Sequence, residues 1–185
     1  MATCWGGKAS RILTPYALEL TKAMDLLEAD PRTVFLGQAV KYPGTSMSTT
    51  LGNVPDDRKI EMPVCEETQM GLSIGLALAG LIPVTLFTRW NFLLLAANQI
   101  VNHLDKFPMI SDYRPKVIIR TGIGSIDPMH PGFQHVGDFT GPFRWMCQTV
   151  KFVSLQDPED IVPAYQAAIE HDGSTVLVEL SDKFN

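Results

Sequence analysis

Residues 69–88, "QMGLSIGLALAGLIPVTLFT", carry no charged side chain anywhere along their length. A stretch of about twenty uncharged, mostly apolar residues has two physical outlets: it crosses a bilayer as one helix, or it lies buried inside a protein as more than one element. Pro83 decides between them. Within a helix, proline removes an amide donor and clashes with the preceding turn. The run therefore divides into a helix over 66–79, ending at Gly80, and a strand "IPVTLF" over 82–87. That strand is apolar on both faces, so it belongs inside a parallel sheet covered on both sides. The run predicts a layered α/β protein and no membrane span.

The remaining chain repeats the pattern. "TPYALELTKAMDLLEAD" (14–30) has apolar residues at helical spacing, with Thr14 as N-cap and Pro15 at the first helical position. "TVFLG" (33–37) is a strand that stops at glycine, and 38–58 is a loop rich in Gly, Ser, Thr and Pro. "IEMPV" (60–64) reads as a strand. "NFLLLAANQIVNHLDKF" (91–107) reads as one helix capped by Asn91, and "KVIIR" (116–120) as a strand. Residues 121–149 form a long loop-like segment. "VKFVS" (150–154) is a strand. "DPEDIVPAYQAAIEHD" (157–172) is a helix with Asp157 as cap and Pro158 in its first position, which Pro163 either kinks or forces to start later. "TVLVEL" (175–180) is the last strand. The expectation is a single domain, residues 1–185, with a three-layer α/β fold: a mainly parallel six-stranded sheet with helices on both faces. Ligands of such folds sit at the carboxyl ends of strands. That points to the turn after Val64, the turn after Phe87 and the segment after Arg120.

Charge narrows the possible partners. The net charge is −5, and the 15 basic residues are scattered, so no basic track exists for a nucleic-acid backbone. Cys4, Cys65 and Cys147 match neither CxxC nor a zinc pattern, and they read as reduced thiols. The start, "MATCWGGKASR", lacks the apolar core of a secretory leader, so the expected location is cytoplasmic. No GxGxxG opens a helix after a strand: "GIGS" (122–125) continues into Ile126 and Asp127. P-loop and GxSxG motifs are absent. His130 and His135 lie five apart, but no Cys or carboxylate completes a metal set around them, so no metal ligand is assigned.

One feature resists a purely structural reading. Glu66 and Glu67 stand side by side where the strand over 60–64 meets the apolar helix. Acids in a first helical turn are favoured by the helix dipole, and that would account for both. The surrounding residues suggest more. "P-V-C-E-E-T-Q-M-G-L-S-I-G-L-A" resembles the "P-I-S-E-x-x-x-x-G-x-x-x-G-x-A" stretch of the pyrimidine-binding domain of thiamine-diphosphate enzymes. "G-L-I-P-V-T-L-F-T-R-W-N-F-L-L-L-A-A-N-Q-I-V-N-H-L-D-K" is similar to "G-L-x-P-V-x-x-F-x-x-x-[DN]-[FY]-x-x-x-A-x-[DN]-Q-I-x-N-x-x-x-K" of the β subunits of 2-oxoacid dehydrogenases. The opening helix and first strand, and the last helix and strand, fit the same pattern. "D-P-M-H-P-G-F-Q-H" is similar to the "D-G-P-T-H-Q-x-x-E-H" loop of transketolases, with the same step between histidines. The resemblance covers nearly the whole chain.

It implies the following. Thiamine diphosphate reacts through C2 of its thiazolium, which the cofactor's own 4′-amino group deprotonates once N1′ has a proton donor. A carboxyl can donate there when its surroundings favour the neutral form, and burial among apolar residues penalises the charged one. Glu66, rather than Glu67, takes that motif position. Phe92 falls where an aromatic ring stacks on the aminopyrimidine, and Thr88 and Trp90 lie on the same turn and are expected to line the pocket. His135, and with it His130, would face the substrate side and shuttle protons. For each of these residues an ordinary packing role competes. The chain lacks the GDG and downstream Asn that hold Mg²⁺ and diphosphate in the family, since "V-G-D-F" (136–139) is not that motif. Those groups are expected from an α-like subunit carrying the pyrophosphate domain, in a hetero-oligomer such as α2β2. The carboxy-terminal domain of dehydrogenase β subunits has no counterpart in these 185 residues, which leaves open a split enzyme with more than one partner, a minimal two-domain enzyme or a truncated chain.

The expected function is the pyrimidine-binding subunit of a split thiamine-diphosphate enzyme. It would form the C2 ylide and cleave the bond beside the carbonyl of a 2-oxoacid, with decarboxylation and acyl or aldehyde transfer. Two alternatives stay open: transketolase-like ketol transfer from a ketose, and a non-catalytic assembly or regulatory module of the same fold. A free-standing flavin-binding domain is a further, weaker alternative. The apolar content of 70–87 and 92–97 also points to a covered face and an oligomer.

Overall fold

The structure is a computed structural model and describes residues 13–42, 45–124 and 130–184. Cys4 and positions 125–129, which include part of the histidine-loop motif, lie outside the described residues. The elements run α1 (Pro15–Glu28), β1 (Thr33–Gly37), α2 (Ser46–Thr49), β2 (Lys59–Glu61), α3 (Glu66–Leu78), β3 (Ile82–Phe87), α4 (Trp90–Leu93), α5 (Phe107–Ile110), β4 (Ile118–Ile123), α6 (Thr140–Met146), β5 (Lys151–Ser154), α7 (Pro158–Glu170) and β6 (Thr175–Leu180).

Six strands form one sheet in the order β2-β1-β3-β4-β6-β5, and every pairing is parallel. Alternate residues of the central strands face opposite layers. Val84, Leu86, Ile118 and Leu177 join Leu20, Met24, Leu27, Ile161 and Tyr165 of α1 and α7 in one core. Ile119, Val176 and Val178 join Met70, Ile74, Trp90, Leu93, Ile100 and Phe143 in the other. This is the expected three-layer arrangement, and all six residues of β3 are buried. No helix among the described residues is long and apolar enough to cross a membrane.

Several boundaries differ from the sequence expectations. Thr14 does cap α1, its hydroxyl accepting from the Ala17 amide at 3.1 Å. Asp157 holds the N-cap position of α7, but its side chain makes no capping bond. Pro163 sits inside α7 without ending it. It lies on the exposed side, where water can serve the carbonyl its missing amide leaves free. The expected strand over 60–64 is only Lys59–Glu61, and Val64 is exposed. Residues 121–149 are not all loop: β4 runs to Ile123, a 3₁₀ turn spans Phe133–His135, and α6 follows.

The largest departure is the expected single helix over 91–107. It is a chain of short pieces: α4, a 3₁₀ turn over Leu94–Ala96, a π-helical stretch over Gln99–Leu104, and α5. Arg89, not Asn91, occupies the N-cap position, in extended backbone. The buried side chains explain the mistake. They fall at 90, 93, 96, 100 and 104, three apart through the tight turns and four apart through the wide ones. Averaged over the run, that spacing matches an ordinary helix. The far end is pinned by Asp105, whose fully buried carboxylate accepts from the amides of Gln148, Thr149 and Val150 at 2.8, 2.7 and 3.1 Å. Burial works against its charge, yet Lys106 and these amides hold its carboxyl below the usual range.

Candidate functional site

In the sheet order, β2 lies on one side of β1 and β3 on the other. The chain thus reverses its winding direction between β1 and β3, and such a switch point opens a crevice at the carboxyl ends of the strands. A small recess of about 10 Å³ lies there, lined by Gln38, Glu66, Gln69, Leu86, Phe87, Thr88 and Phe92.

Local sequence builds each wall. Gly37 ends β1 at φ +153°, and a Cβ there would stand 2.6 Å from the Leu86 carbonyl oxygen. Only glycine lets β1 and β3 close together at this end. The following turn is strained, with Ala39 at φ +55°. The Glu61 carboxylate at the end of β2 holds it, accepting from the Ala39 and Lys41 amides at 2.6 and 2.8 Å. Gln38, inside this turn, is thereby fixed at the recess.

Glu66 is the first residue of α3 and is 7% exposed, whereas Glu67 beside it is exposed. One helical step later, on the same face, Gln69 is fully buried. Its amide donates to Thr85 Oγ1 at 2.8 Å and to the Leu86 carbonyl at 2.9 Å. Gln69 thereby locks the rotation of α3 against β3 and sets where Glu66 points. No hydrogen bond joins the Glu66 carboxyl to another described residue, although it is buried and polar. Its oxygens are not among the fully enclosed polar atoms that lack a partner, so they keep access to solvent and are free to meet a ligand at the recess. The two adjacent acids therefore differ in kind: Glu66 belongs to the recess and Glu67 to the solvent-facing first turn.

Thr88 and Phe92 line the recess. Trp90 does not. It is fully buried, its indole Nε1 donates to Thr140 Oγ1 at 3.1 Å, and its ring packs against Phe143 and Phe152. It anchors α4 to α6 inside the core, which corrects its expected pocket role. The two histidines also separate. The His135 ring packs on Phe92, centroid to centroid 5.5 Å, and its Nδ1 is buried without a hydrogen-bond partner among the described residues. His130 is exposed, its Nδ1 accepts from the Gly132 amide at 3.0 Å, and its ring meets the exposed Phe133. The structure thus joins Glu66, Thr88 and Phe92 in one recess, with His135 touching its aromatic wall, and leaves His130 in a surface turn. Among the described residues no group of three or more His, Cys, Asp or Glu is arranged to hold a metal ion.

Sequence reasoning missed Gln38 and Gln69. The signal for Gln69 was present: it is a polar residue three after Glu66 in an otherwise apolar helix. Gln38 had no signal beyond following the glycine that ends β1.

Comparison with known proteins bears on the family and the fold. A model of the family "Transketolase, pyrimidine binding domain" matches residues 16–183. The chain is 29% identical over 158 residues to the chloroplastic pyruvate dehydrogenase E1 component subunit beta-3 of Arabidopsis thaliana, which covers 83% of this chain and 38% of that protein. It is 30% identical over 166 residues to the mitochondrial pyruvate dehydrogenase E1 component subunit beta of Caenorhabditis elegans, covering 86% and 46%. The chain spans less than half the length of these curated relatives. Among solved structures, a split-gene transketolase described as an inactive beta4 tetramer superposes with a TM-score of 0.70 at 20% identity, covering 89% of this chain and 51% of that one. That likeness shows the fold. With a family model spanning nearly every described residue, the chain belongs to the transketolase pyrimidine-binding domain family.

Proposed function

We propose that this chain is the pyrimidine-binding part of a split thiamine-diphosphate enzyme acting on a 2-oxoacid. The observation that carries the proposal is Glu66: a buried carboxyl without a hydrogen-bond partner among the described residues, in a recess whose wall is the Phe92 ring. An aminopyrimidine matches such a site, since its ring nitrogen can take a hydrogen bond from a carboxyl and its flat face can lie on an aromatic side chain. The chemistry of these residues fits the group, and the recess, too small to enclose a ring, would form one wall of its site.

When bound, the cofactor supplies a carbon nucleophile for attack on a carbonyl. The rest is work for this chain's residues. Glu66 presents its carboxyl as a hydrogen-bonding partner for the pyrimidine nitrogen. Gln69 keeps that carboxyl aimed, through its bonds to Thr85 and Leu86. Phe92 supports the ring face, and Thr88 closes the recess beside it. His135, whose ring packs on Phe92, offers an imidazole that can give or take a proton as substrate and product exchange. His130, turned to the surface, is the weaker candidate for that task.

Mg²⁺ and the diphosphate fall to a partner. An α-like chain with a pyrophosphate domain supplies them, in an assembly such as α2β2 located in the cytoplasm. Leu72, Leu94 and Leu95 are exposed on α3 and on the 3₁₀ turn that packs beside it, and such an apolar face suits a partner better than water.

The test is reconstitution. The chain is mixed with a partner that carries GDG and a downstream Asn, together with Mg²⁺ and thiamine diphosphate, and 2-oxoacid turnover is measured. Activity that falls at least about 100-fold in Glu66→Ala supports the reading, as loss of a general acid costs about that much. Unchanged activity removes Glu66 from the role. Turnover of a ketose instead would mark ketol transfer. Assembly with the partner but no cofactor uptake by calorimetry would mark a non-catalytic module.

A further inference from the structure

The structure assigns Arg89 a role outside the family motifs: we propose that it is the positioning residue for His135. The inference rests on reading His135 as a site residue. Arg89 stands between β3 and α4 with extended backbone, and its side chain is half-buried. Its Nη1 donates to the Gly124 carbonyl at 2.6 Å and to the His135 carbonyl at 3.3 Å. One charged group thus grips the end of β4 and the turn that carries the histidine. Charge-assisted bonds of this kind are stronger than neutral ones.

The grip is completed from the ring side. Phe92 lies three residues after Arg89, one turn along the same helix start, and it meets the His135 imidazole at 5.5 Å. Backbone and ring of His135 are therefore both held by residues of the Arg89–Phe92 turn. The surrounding backbone leaves little slack. Gly124 is at φ +88°, and a Cβ on it would stand 3.1 Å from the Asp182 carboxylate. The His135 amide closes its own turn on the Gly132 carbonyl at 3.0 Å. Asp182 also supports the charge of Arg89 against the burial that opposes it. Without the guanidinium, the His135 turn has no described bond to the end of β4, and among the described residues the Phe92 contact is what remains on the ring.

The test reads geometry directly. The full chain is prepared with labelled histidine and phenylalanine, and nuclear Overhauser contacts between His135 and Phe92 are recorded. His135→Gln identifies the signal. The contacts are expected in the native chain, lost in Arg89→Ala and partly restored in Arg89→Lys, while the signals of His103 and His171 stay in place. Persistence of the His135–Phe92 contacts in Arg89→Ala overturns the proposal. Should Arg89→Ala lose all dispersed signals, Arg89→Gln decides, since it keeps the stem and one donor: contacts as strong as in the native chain overturn the proposal, and weakened contacts beside unmoved His103 and His171 support it. None of these readouts depends on activity, so failure here is distinct from failure of reconstitution.

Discussion

Breaking the buried ion pair between β4 and β6 should nearly unfold the protein, and removing the pair altogether should not. Arg120 and Glu179 are both fully buried, with Arg120 Nε at 2.7 Å and Nη2 at 3.1 Å from the carboxylate. The Tyr165 hydroxyl donates to the same carboxylate at 2.5 Å. Glu179 pushes the Arg120 guanidinium upward against the burial that would lower it, and burial together with the Glu179 charge pushes the Tyr165 hydroxyl well up. Glu179→Leu removes all of these bonds. Among the described residues the guanidinium keeps Thr50 Oγ1 at 3.2 Å, Met24 Sδ at 3.1 Å and the Tyr165 ring centroid at 6.0 Å, none of which carries charge. An orphaned buried charge of this kind costs about 3–5 kcal/mol. That is a large part of the roughly 5–15 kcal/mol by which a domain is stable. The triple variant Arg120→Met, Glu179→Leu, Tyr165→Phe leaves no buried polar group from the cluster's charged centre. It should recover most of the loss, since replacing an ion pair by packed apolar groups is often neutral or better. Urea unfolding followed by far-ultraviolet circular dichroism gives both numbers, with an unchanged denaturant slope as the control for two-state behaviour. A cost below about 1 kcal/mol for Glu179→Leu would show that the charge finds water or another partner. A triple variant no more stable than the single one would show that the bonds, not the stranded charge, supply the stability.

Three further outcomes are expected. Gly37→Ala should destabilise by roughly 1–3 kcal/mol through overpacking, because its Cβ would press on the Leu86 carbonyl; chemical denaturation measures it, and a neutral result refutes the close approach of β1 and β3. Asp30 titrates near 2 because Arg32 hydrogen-bonds its carboxylate, against about 3.9 unfolded. Its contribution is therefore present above about pH 4 and lost as pH falls through about 2; Asp30→Asn should remove that portion of the acid-unfolding curve, and superimposable curves would refute it. Cys147 is buried, and burial with the Asp105 charge pushes its thiol up to about 12. In the native state at pH 8 it should resist alkylation while half-exposed Cys65 reacts, as mass spectrometry of the labelled peptides would register.

The fold was readable where one physical signal dominated. Pro83 split the uncharged run, and the strands over 33–37, 82–87 and 175–180 match β1, β3 and β6 residue for residue. Glu66 was singled out by a resemblance to a family motif, since two acids before an apolar helix also fit an ordinary first turn, and the structure places it at the recess. What escaped was information that local sequence does not carry. The 3₁₀ and π turns between 90 and 104 compensate each other, so their apolar spacing imitates one helix. Trp90 was placed by sequence neighbourhood at the pocket, but its indole proton needed a buried acceptor and found Thr140 in α6. The helix α6 itself is short and its exposed face carries Trp145 and Met146, so it shows no clean amphipathic stripe. Gln69 and Arg89 matter through carbonyls of other strands and turns, Leu86, Gly124 and His135, and such partners become visible only once the chain is folded.

The seam between the first helix and the last strand has a consequence for how the protein is made. The Tyr16 hydroxyl donates to the Leu155 carbonyl at 2.9 Å and accepts from the Leu180 amide at 3.0 Å. The Thr14 hydroxyl reaches the Lys183 carbonyl at 2.7 Å, and Phe184 sits edge-on to the Tyr16 ring. During synthesis, α1 emerges well before residues 155–184, which complete its cover. Part of its apolar face stays open to water, to chaperones or to a neighbouring nascent chain until residue 184 has left the ribosome. Contacts this distant in sequence slow folding, because a long loop must close before they form. The protein should therefore acquire protease resistance only after release of its full described length, in one late step.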